Sequence, residues 1–390
     1  MIDFDAAIAP LPRRAFIAEY WNRAPLPQRG EAGRFSALLD WDGLSHILET
    51  HQITPPRLRV VRDGESVEPA RYLQEGRDQR LDVRGLIQSL RTGATLVLDG
   101  IHAMVPQIGA LTADCAEALG SAVTANLYAG MRGSRGFALH WDSQDVLILQ
   151  LAGRKRWRVH APTEVNPLRG ALAPLPEGDP DWEGVLENGD SLYLPRGWWH
   201  AAEADEAPSL HLTVTIVPPR GVDFVAWLVR ELDNSPIARA DIPHATAKEA
   251  RSSYFNRLAE AITEAAGAEG AAGRFLEGWA ADYPPIARLQ LPVAEANTAL
   301  NADSTVSLPG IRSLVFRGDG SGSYLFVAGG QGWHCTPAVR TALALLNGGR
   351  EVPWLHLKAS IADPAERRAL ARLIVALAAA GVAEIRNPPV

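Results

Sequence analysis

Between Phe137 and His160 the chain reads FALHWDSQDVLILQLAGRKRWRVH. This stretch holds an apolar run at Val146–Leu151, a tight turn at Ala152-Gly153, and a segment in which Arg154, Arg156 and Arg158 alternate with Lys155, Trp157 and Val159. A strand places successive side chains on opposite faces, so a one-residue slip would exchange the two sets. Three arginines can hardly all be buried, which turns Trp157 and Val159 inward. Lys155 is carried inward with them. Short strand-like runs recur around this segment, at Leu58–Val61, Thr95–Leu98, Val123–Tyr128, Ser191–Leu194 and Leu210–Val217. Clusters of Gly, Pro and Asp separate them, which is the pattern of an all-β barrel or sandwich. Helical segments are expected at Arg34–Thr50, Val83–Arg91 and Thr112–Leu119, packed around that barrel.

The chain has 390 residues, more than one core usually holds. Its periodicity changes twice. Residues 1–220 form the strand-rich domain. Residues 221–295 carry helical spacing, with Phe224, Val225, Leu228 and Leu232 on one stripe, and continue through Lys248–Ala266 and Gly273–Tyr283. Exposed apolar stripes there would suit a homodimer. Residues 296–390 mix elements: Leu314–Arg317 and Tyr324–Val327 flank a hairpin turn, while Thr336–Asn347 and Asp363–Ala380 are expected as helices. A small winged-helix-like domain is the expectation.

The net charge of −7 argues against a chain that coats nucleic acid or anionic membrane, and suits a basic partner. The two cysteines, Cys115 and Cys335, make no CxxC pair and no disulfide framework. The opening MIDFDAAIAPLPRRAF has acids first and no apolar run, and no stretch approaches the roughly 18 apolar residues that cross a bilayer. A cytoplasmic protein is expected. Lysine occurs at only three positions, Lys155, Lys248 and Lys358, so arginine is this chain's ordinary surface cation.

His140 and Asp142, two apart, share one face if the segment is a strand. Joined by a histidine from a later strand, they would make the facial triad of a non-haem iron site, leaving positions open for a bidentate cosubstrate and O2. His-x-Asp alone is a weak signal. His200 closes the run NGDSLYLPRGWWH, in which turns at Asn188–Asp190 and Pro195–Gly197 re-aim the chain; the competing reading is a core histidine bonded to a carbonyl. A buried Lys155 needs an anion. The far carboxylate of 2-oxoglutarate fits, and so would a structural ion pair with a barrel carboxylate. Asn126 and Tyr128 share a face on the preceding strand and would line the cosubstrate pocket, or Tyr128 would pack the barrel. On the last strand His211 and Thr213 are in phase, as ligand-binding groups or as satisfied core polars.

With these residues quoted, the chain resembles the JmjC ribosomal oxygenases. The likeness rests on His140-Trp141-Asp142, on the hairpin Leu149–Arg158, and on the segment Gly189–His200; it covers roughly residues 100 to 220. It implies a double-stranded β-helix (jelly-roll, cupin-like) catalytic domain followed by a helical dimerisation region and a winged-helix-like domain. It also implies Fe(II) on His140, Asp142 and His200, with 2-oxoglutarate and O2 as cosubstrates. Lys155 would grip the distal carboxylate, and Asn126, Tyr128 and Thr213 would be polar pocket positions. The implied reaction is hydroxylation of an arginine or histidine side chain of a ribosomal protein. Two other readings stand beside it: an oxygenase acting on a small molecule or peptide natural product, and a non-enzymatic metal-binding cupin regulator. The tail has no basic run for direct nucleic-acid contact.

Overall fold

The computed structural model describes residues 2–387 apart from 75, 77–78, 206, 246–247, 284–288, 290, 292–299, 310, 312–313 and 319. The chain divides into two compact units, Met1–Val217 and Pro218–Val390. The boundary expected near 295 lies outside the described residues.

The first unit opens with α1 (Phe4–Ile8), capped by the Asp3 carboxylate, then α2 (Arg13–Glu19) and β1 (Leu26–Gln28). α3 (Trp41–Thr50) is shorter than the helix expected from Arg34, because Asp40 accepts the Gly43 N–H and starts it there; the residues before it form turns. Next come β2 (Leu58–Arg62), β3 (Glu65–Ser66), α4 (Val83–Arg91), β4 (Thr95–Leu98) and α5. That helix, Pro106–Leu119, begins six residues before its expected start, at a proline whose missing N–H costs nothing in a first turn. β5 (Ala122–Gly130), β6 (Asp145–Ala152), β7 (Arg154–His160), β8 (Trp182–Glu187), β9 (Ser191–Leu194), β10 (Trp199–Ala204) and β11 (Ser209–Val217) complete the unit.

These strands make two antiparallel sheets, of order β1-β9-β6-β11-β5-β4-β2-β3 and β10-β7-β8. The larger sheet is covered on one side by a core that includes Phe4, Phe16, Phe35, Leu86 and Ile108 together with Leu127, Leu147, Leu149, Leu212 and Val214. Its alternate residues, Val146, Ile148, Leu192 and Leu194, pack instead with Trp157, Val159 and Leu186 of the smaller sheet. β6 is therefore buried on both faces, which is why it reads as an unbroken apolar run with no alternation. On β5 and β11 the layer towards the helices is apolar, whereas Asn126, Tyr128, His211 and Thr213 take the opposite phase and lie side by side across the pair (His211↔Tyr128, Thr213↔Asn126). This is the jelly-roll arrangement, with polar groups placed between the sheets.

The second unit begins with α6 (Gly221–Glu231), α7 (Lys248–Gly267) and α8 (Ala271–Asp282). Phe224 and Trp227 of α6 pack on Phe275 of α8. β12 (Thr305–Ser307), β13 (Arg317–Gly318), β14 (Tyr324–Ala328), β15 (Gln331–Cys335), α9 (Pro337–Ala344), β16 (Val352–Pro353), α10 (Trp354–Ala359), α11 (Pro364–Ala379) and β17 (Glu384–Arg386) follow. Thr336 and Asp363 cap α9 and α11, as their sequence positions suggest. The expected hairpin forms between β13 and β14, and β15 adds a third strand through Gly329-Gly330, both at positive φ. These elements share a core around Val306, Phe326, Leu343, Leu357, Leu370 and Ile374.

Candidate metal centre

The segment carrying His140 and Asp142 is not a regular strand. Between Gly130 and Asp145 the backbone is irregular, pinned by two isolated antiparallel bridges: Arg135 with Glu203, and His140 with His200, which exchange both N–H···O bonds at 3.1 and 2.7 Å. This corrects the sequence premise while preserving its outcome: the latter bridge, rather than a continuous ladder, fixes His140 beside His200. Asp142 is held by a second contact, its carbonyl accepting the Gly197 N–H at 2.8 Å. The turn Pro195–Gly197 thus does two jobs, redirecting the chain into β10 and gripping the acid's backbone.

Each histidine is oriented through its Nδ1. That of His140 lies 2.8 Å from the Ala138 carbonyl, and that of His200 lies 3.0 Å from the Trp198 carbonyl. A carbonyl only accepts, so each Nδ1 carries a proton, and Nε2 is the ring atom left to face the cavity. Such an outer hydrogen bond is what orients a metal-ligating imidazole. Burial, with His140 alongside, pushes the His200 pKa down to about 4, so the ring is neutral at pH 7 as a ligand must be. One ligand atom from each of His140, Asp142 and His200 can be chosen so that all lie within 4.8 Å of one another. His200 Nε2 and an Asp142 oxygen stand 3.6 Å apart. Donors sharing one ion at bonds of about 2.1 Å can stand at most about 4.2 Å apart. The His200–Asp142 pair meets that limit, and two imidazoles with one carboxylate are a donor set suited to one divalent ion.

These ligands line a cavity of about 250 Å³, walled by Tyr128, Lys155, Trp157, His211 and Thr213 on one side and by Arg59, Thr95 and Phe137 among others. Lys155 sits at 7% exposure, with its ammonium 5.5 Å from the Trp157 ring centroid and 6.0 Å from that of Tyr128. Burial alone pushes its pKa down to about 7. Among the described residues no carboxylate pairs with it, so the structural ion pair weighed from sequence does not form. His211 stacks on Tyr128 at 4.8 Å, and its buried Nδ1 finds no partner among the described residues. An unpaired ammonium and an orphaned ring nitrogen in one cavity fit an anionic, hydrogen-bonding guest.

Tyr128 and Thr213 line this cavity, but Asn126 does not. It accepts the Gly100 N–H at 2.9 Å and hydrogen-bonds the Tyr128 side chain, so it holds the tyrosine from behind. Sequence reading did not single out Arg59. The guanidinium lies at the cavity wall, bound twice to Asp99 at 2.5 and 3.0 Å. An arginine on β2 carries no signal that sets it apart from Arg62 three residues further on, which bonds Thr92 instead.

Residues 104–224 match the family model of the JmjC domain. The chain carries a JmjC domain. Curated relatives agree over this region: "Ribosomal oxygenase 1" of Rattus norvegicus is 33% identical over 226 residues, covering 54% of this chain and 36% of that protein. The "Bifunctional lysine-specific demethylase and histidyl-hydroxylase NO66" of Drosophila persimilis is 29% identical over 212 residues, covering 53% and 30%. The chain thus spans about a third of the length of these curated relatives. The fold likeness is longer. The structure of YcfD, a ribosomal oxygenase from Escherichia coli, in complex with cobalt and 2-oxoglutarate, covers 97% of this chain and 99% of that one, with TM-score 0.62 and 16% identity. His140, Asp142, Lys155, His200, His211 and Thr213 all fall inside the matched JmjC domain, and Arg59 falls outside it.

Proposed function

We propose that this protein is an Fe(II)- and 2-oxoglutarate-dependent oxygenase that hydroxylates a side chain of a ribosomal protein. One observation carries the reading. A triad of two histidines and one carboxylate shares a cavity with a buried lysine that has no counter-ion among the described residues. When bound, iron with 2-oxoglutarate supplies the oxidising chemistry, in which O2 and the cosubstrate become succinate, carbon dioxide and a hydroxyl placed on a substrate C–H. His140, Asp142 and His200 would hold the ion through two Nε2 atoms and a carboxylate oxygen. Lys155 would neutralise the distal carboxylate; it stands four residues along β7 from Val159, the register partner of His200. That spacing is about 13 Å of strand, which a lysine stem and a five-carbon diacid bridge. Trp157 and Tyr128 shield the ammonium from water, which strengthens the ion pair. Fixing the cosubstrate's pose in this way is the protein's main contribution to rate.

The cavity also favours a neutral target side chain, histidine rather than arginine. Among the described residues lining it Asp142, a metal ligand, is the only carboxylate, and the Asp99 carboxylate behind the wall is already taken by Arg59. A substrate guanidinium would enter without a counter-ion; an imidazole needs none. The histidyl-hydroxylase name of one relative supports this choice. A basic protein partner is supported by the net charge of −7. Exposed Val222, Val225 and Val229 on one stripe of α6 support a homodimer through the helical region, with residues beyond it as a winged-helix-like module. Among the described residues no helix is long and apolar enough to cross a membrane, which is compatible with a cytoplasmic protein.

The test is succinate formation by anaerobically purified protein given Fe(II), 2-oxoglutarate and then O2. Turnover should vanish in His140→Ala. Absence of both turnover and Fe(II)-dependent 2-oxoglutarate binding in the unaltered protein would sink the reading. Matched peptides carrying histidine or arginine at the reacting position then separate the two targets, with preference for arginine overturning the choice made above.

A further inference from the structure

The segment between β7 and β8, residues 161–181 (APTEVNPLRGALAPLPEGDPD), is not needed to close the barrel: two antiparallel neighbours can be joined by a two-residue turn. It leaves the sheet at the metal end. Val159 is the register partner of His200 and His160 that of Trp199, so the loop departs one residue beyond the pair that flanks the metal histidine. Its foot is fastened to the chain that delivers His200. Trp199 Nε1 donates to Thr163 Oγ1 at 3.0 Å, Arg196 donates to Asn166 Oδ1 at 3.0 Å, and Pro167 is buried against Gly197, where a Cβ would stand 2.9 Å from its ring.

Within and beyond that foot the loop shows water four large apolar side chains in eleven residues: Val165 (86% exposed), Leu168 (49%), Leu172 (99%) and Leu175 (66%). Scattered exposed leucines need no explanation, but such a concentration does. Five prolines, at 162, 167, 174, 176 and 180, restrict the backbone, so less freedom is lost when a partner is bound. Four acids, at 164, 177, 179 and 181, face a single base, Arg169. The strip is thus apolar, acidic and pre-ordered, and its foot is fastened to the turn and strand that deliver His200.

We propose that residues 161–181 form a docking strip for a basic, leucine-complementary segment of the protein substrate, flanking the residue to be hydroxylated. The inference rests on the protein-hydroxylase reading above. Apolar contacts would come from Leu172 and Leu175, and charge pairing from Glu177 and Asp179. The strip would then select the substrate through its surroundings, leaving the cavity to select the side chain.

The probe is the protein set stripped by salt from both ribosomal subunits, with the component that gains one oxygen then used in pure form. The full chain is compared with Leu172→Ser/Leu175→Ser and with Glu177→Lys/Asp179→Lys, on that intact protein and on a short peptide around the oxidised residue. Each pair should raise KM for the intact protein about tenfold or more, with kcat changed by less than about twofold and the peptide's constants unaltered. Melting temperatures should not move, since these side chains are exposed. Unchanged KM in both pairs would overturn the proposal. So would a dimer turned monomeric by the leucine pair in light scattering, which would make the strip a contact between copies. If the unaltered chain splits 2-oxoglutarate yet oxidises no ribosomal protein, the protein-hydroxylase reading fails and the docking strip falls with it.

Discussion

Lys155 concentrates the chemistry at the scale of single residues. Its ammonium is dehydrated with no counter-ion among the described residues, and its pKa is pushed down to about 7 from the ordinary 10.5. Between those values the unfolded chain binds one more proton than the folded one, so stability rises with pH from about 7 upwards; below 7 the burial penalty is present in full. An anionic guest has the opposite preference, because it needs the protonated form. Affinity for 2-oxoglutarate at fixed Mn(II) should therefore weaken as pH rises above 7. Lys155→Arg should flatten that profile, and Lys155→Ala should weaken binding about tenfold to a hundredfold at pH 7, both read by calorimetry. A profile that stays flat in the unaltered protein would place the anion elsewhere. Lys155 was legible in sequence because a strict alternation of arginine with apolar residues leaves no doubt about which face it shares. Asn126 was not legible in the same way: it has the right phase on β5, but only the packing of Gly100 against it shows that it supports Tyr128 from outside the cavity.

Among elements, the two turns that shape the site are the most vulnerable. Gly153 joins β6 to β7 at φ +70°, and a Cβ there would stand 1.8 Å from the Pro208 carbonyl oxygen. Gly153→Ala should lower unfolding stability by at least about 2 kcal/mol in urea titrations, since it combines a left-handed backbone with a backbone clash. Asp190 holds the turn before β9. Nearly fully buried, it accepts N–H groups from Gly30 and Glu187 and pairs with Arg29. Asp190→Ala should cost on the order of 3 kcal/mol by leaving buried donors unsatisfied, with the loss visible as a lower melting temperature of the first unit. A loss under about 1 kcal/mol would show that water replaces the carboxylate. Both turns announce themselves in sequence as Ala-Gly and Asn-Gly-Asp between strand-like runs. The His140–Asp142 segment does not, since its extended shape comes from one bridge to a residue sixty positions later.

For the whole molecule, two separate cores predict that unfolding is not two-state. Scanning calorimetry should resolve two transitions. Mn(II) with 2-oxoglutarate at about a hundred times its dissociation constant should stabilise only the transition of the first unit, by about 2.7 kcal/mol. A single transition that shifts as one would mean that the units unfold together.

Read alone, the sequence determined which residues can share a face. Period-two alternation paired Lys155 with Trp157 and Tyr128 with Asn126, and local pattern placed α4 and, with capping residues, α9 and α11, because those signals are local and act over a few residues. It also determined the ligand types, since imidazole and carboxylate chemistry is written in the side chains. Tertiary structure alone decided the rest: that His140 lies against His200, that no carboxylate among the described residues reaches Lys155, that Arg59 joins the cavity from a distant strand, and that the leucines of the β7–β8 loop stay in water. Each of these depends on which surfaces meet across the barrel. Contacts between residues far apart in the chain are set by the summed packing of both sheets, which no local pattern encodes.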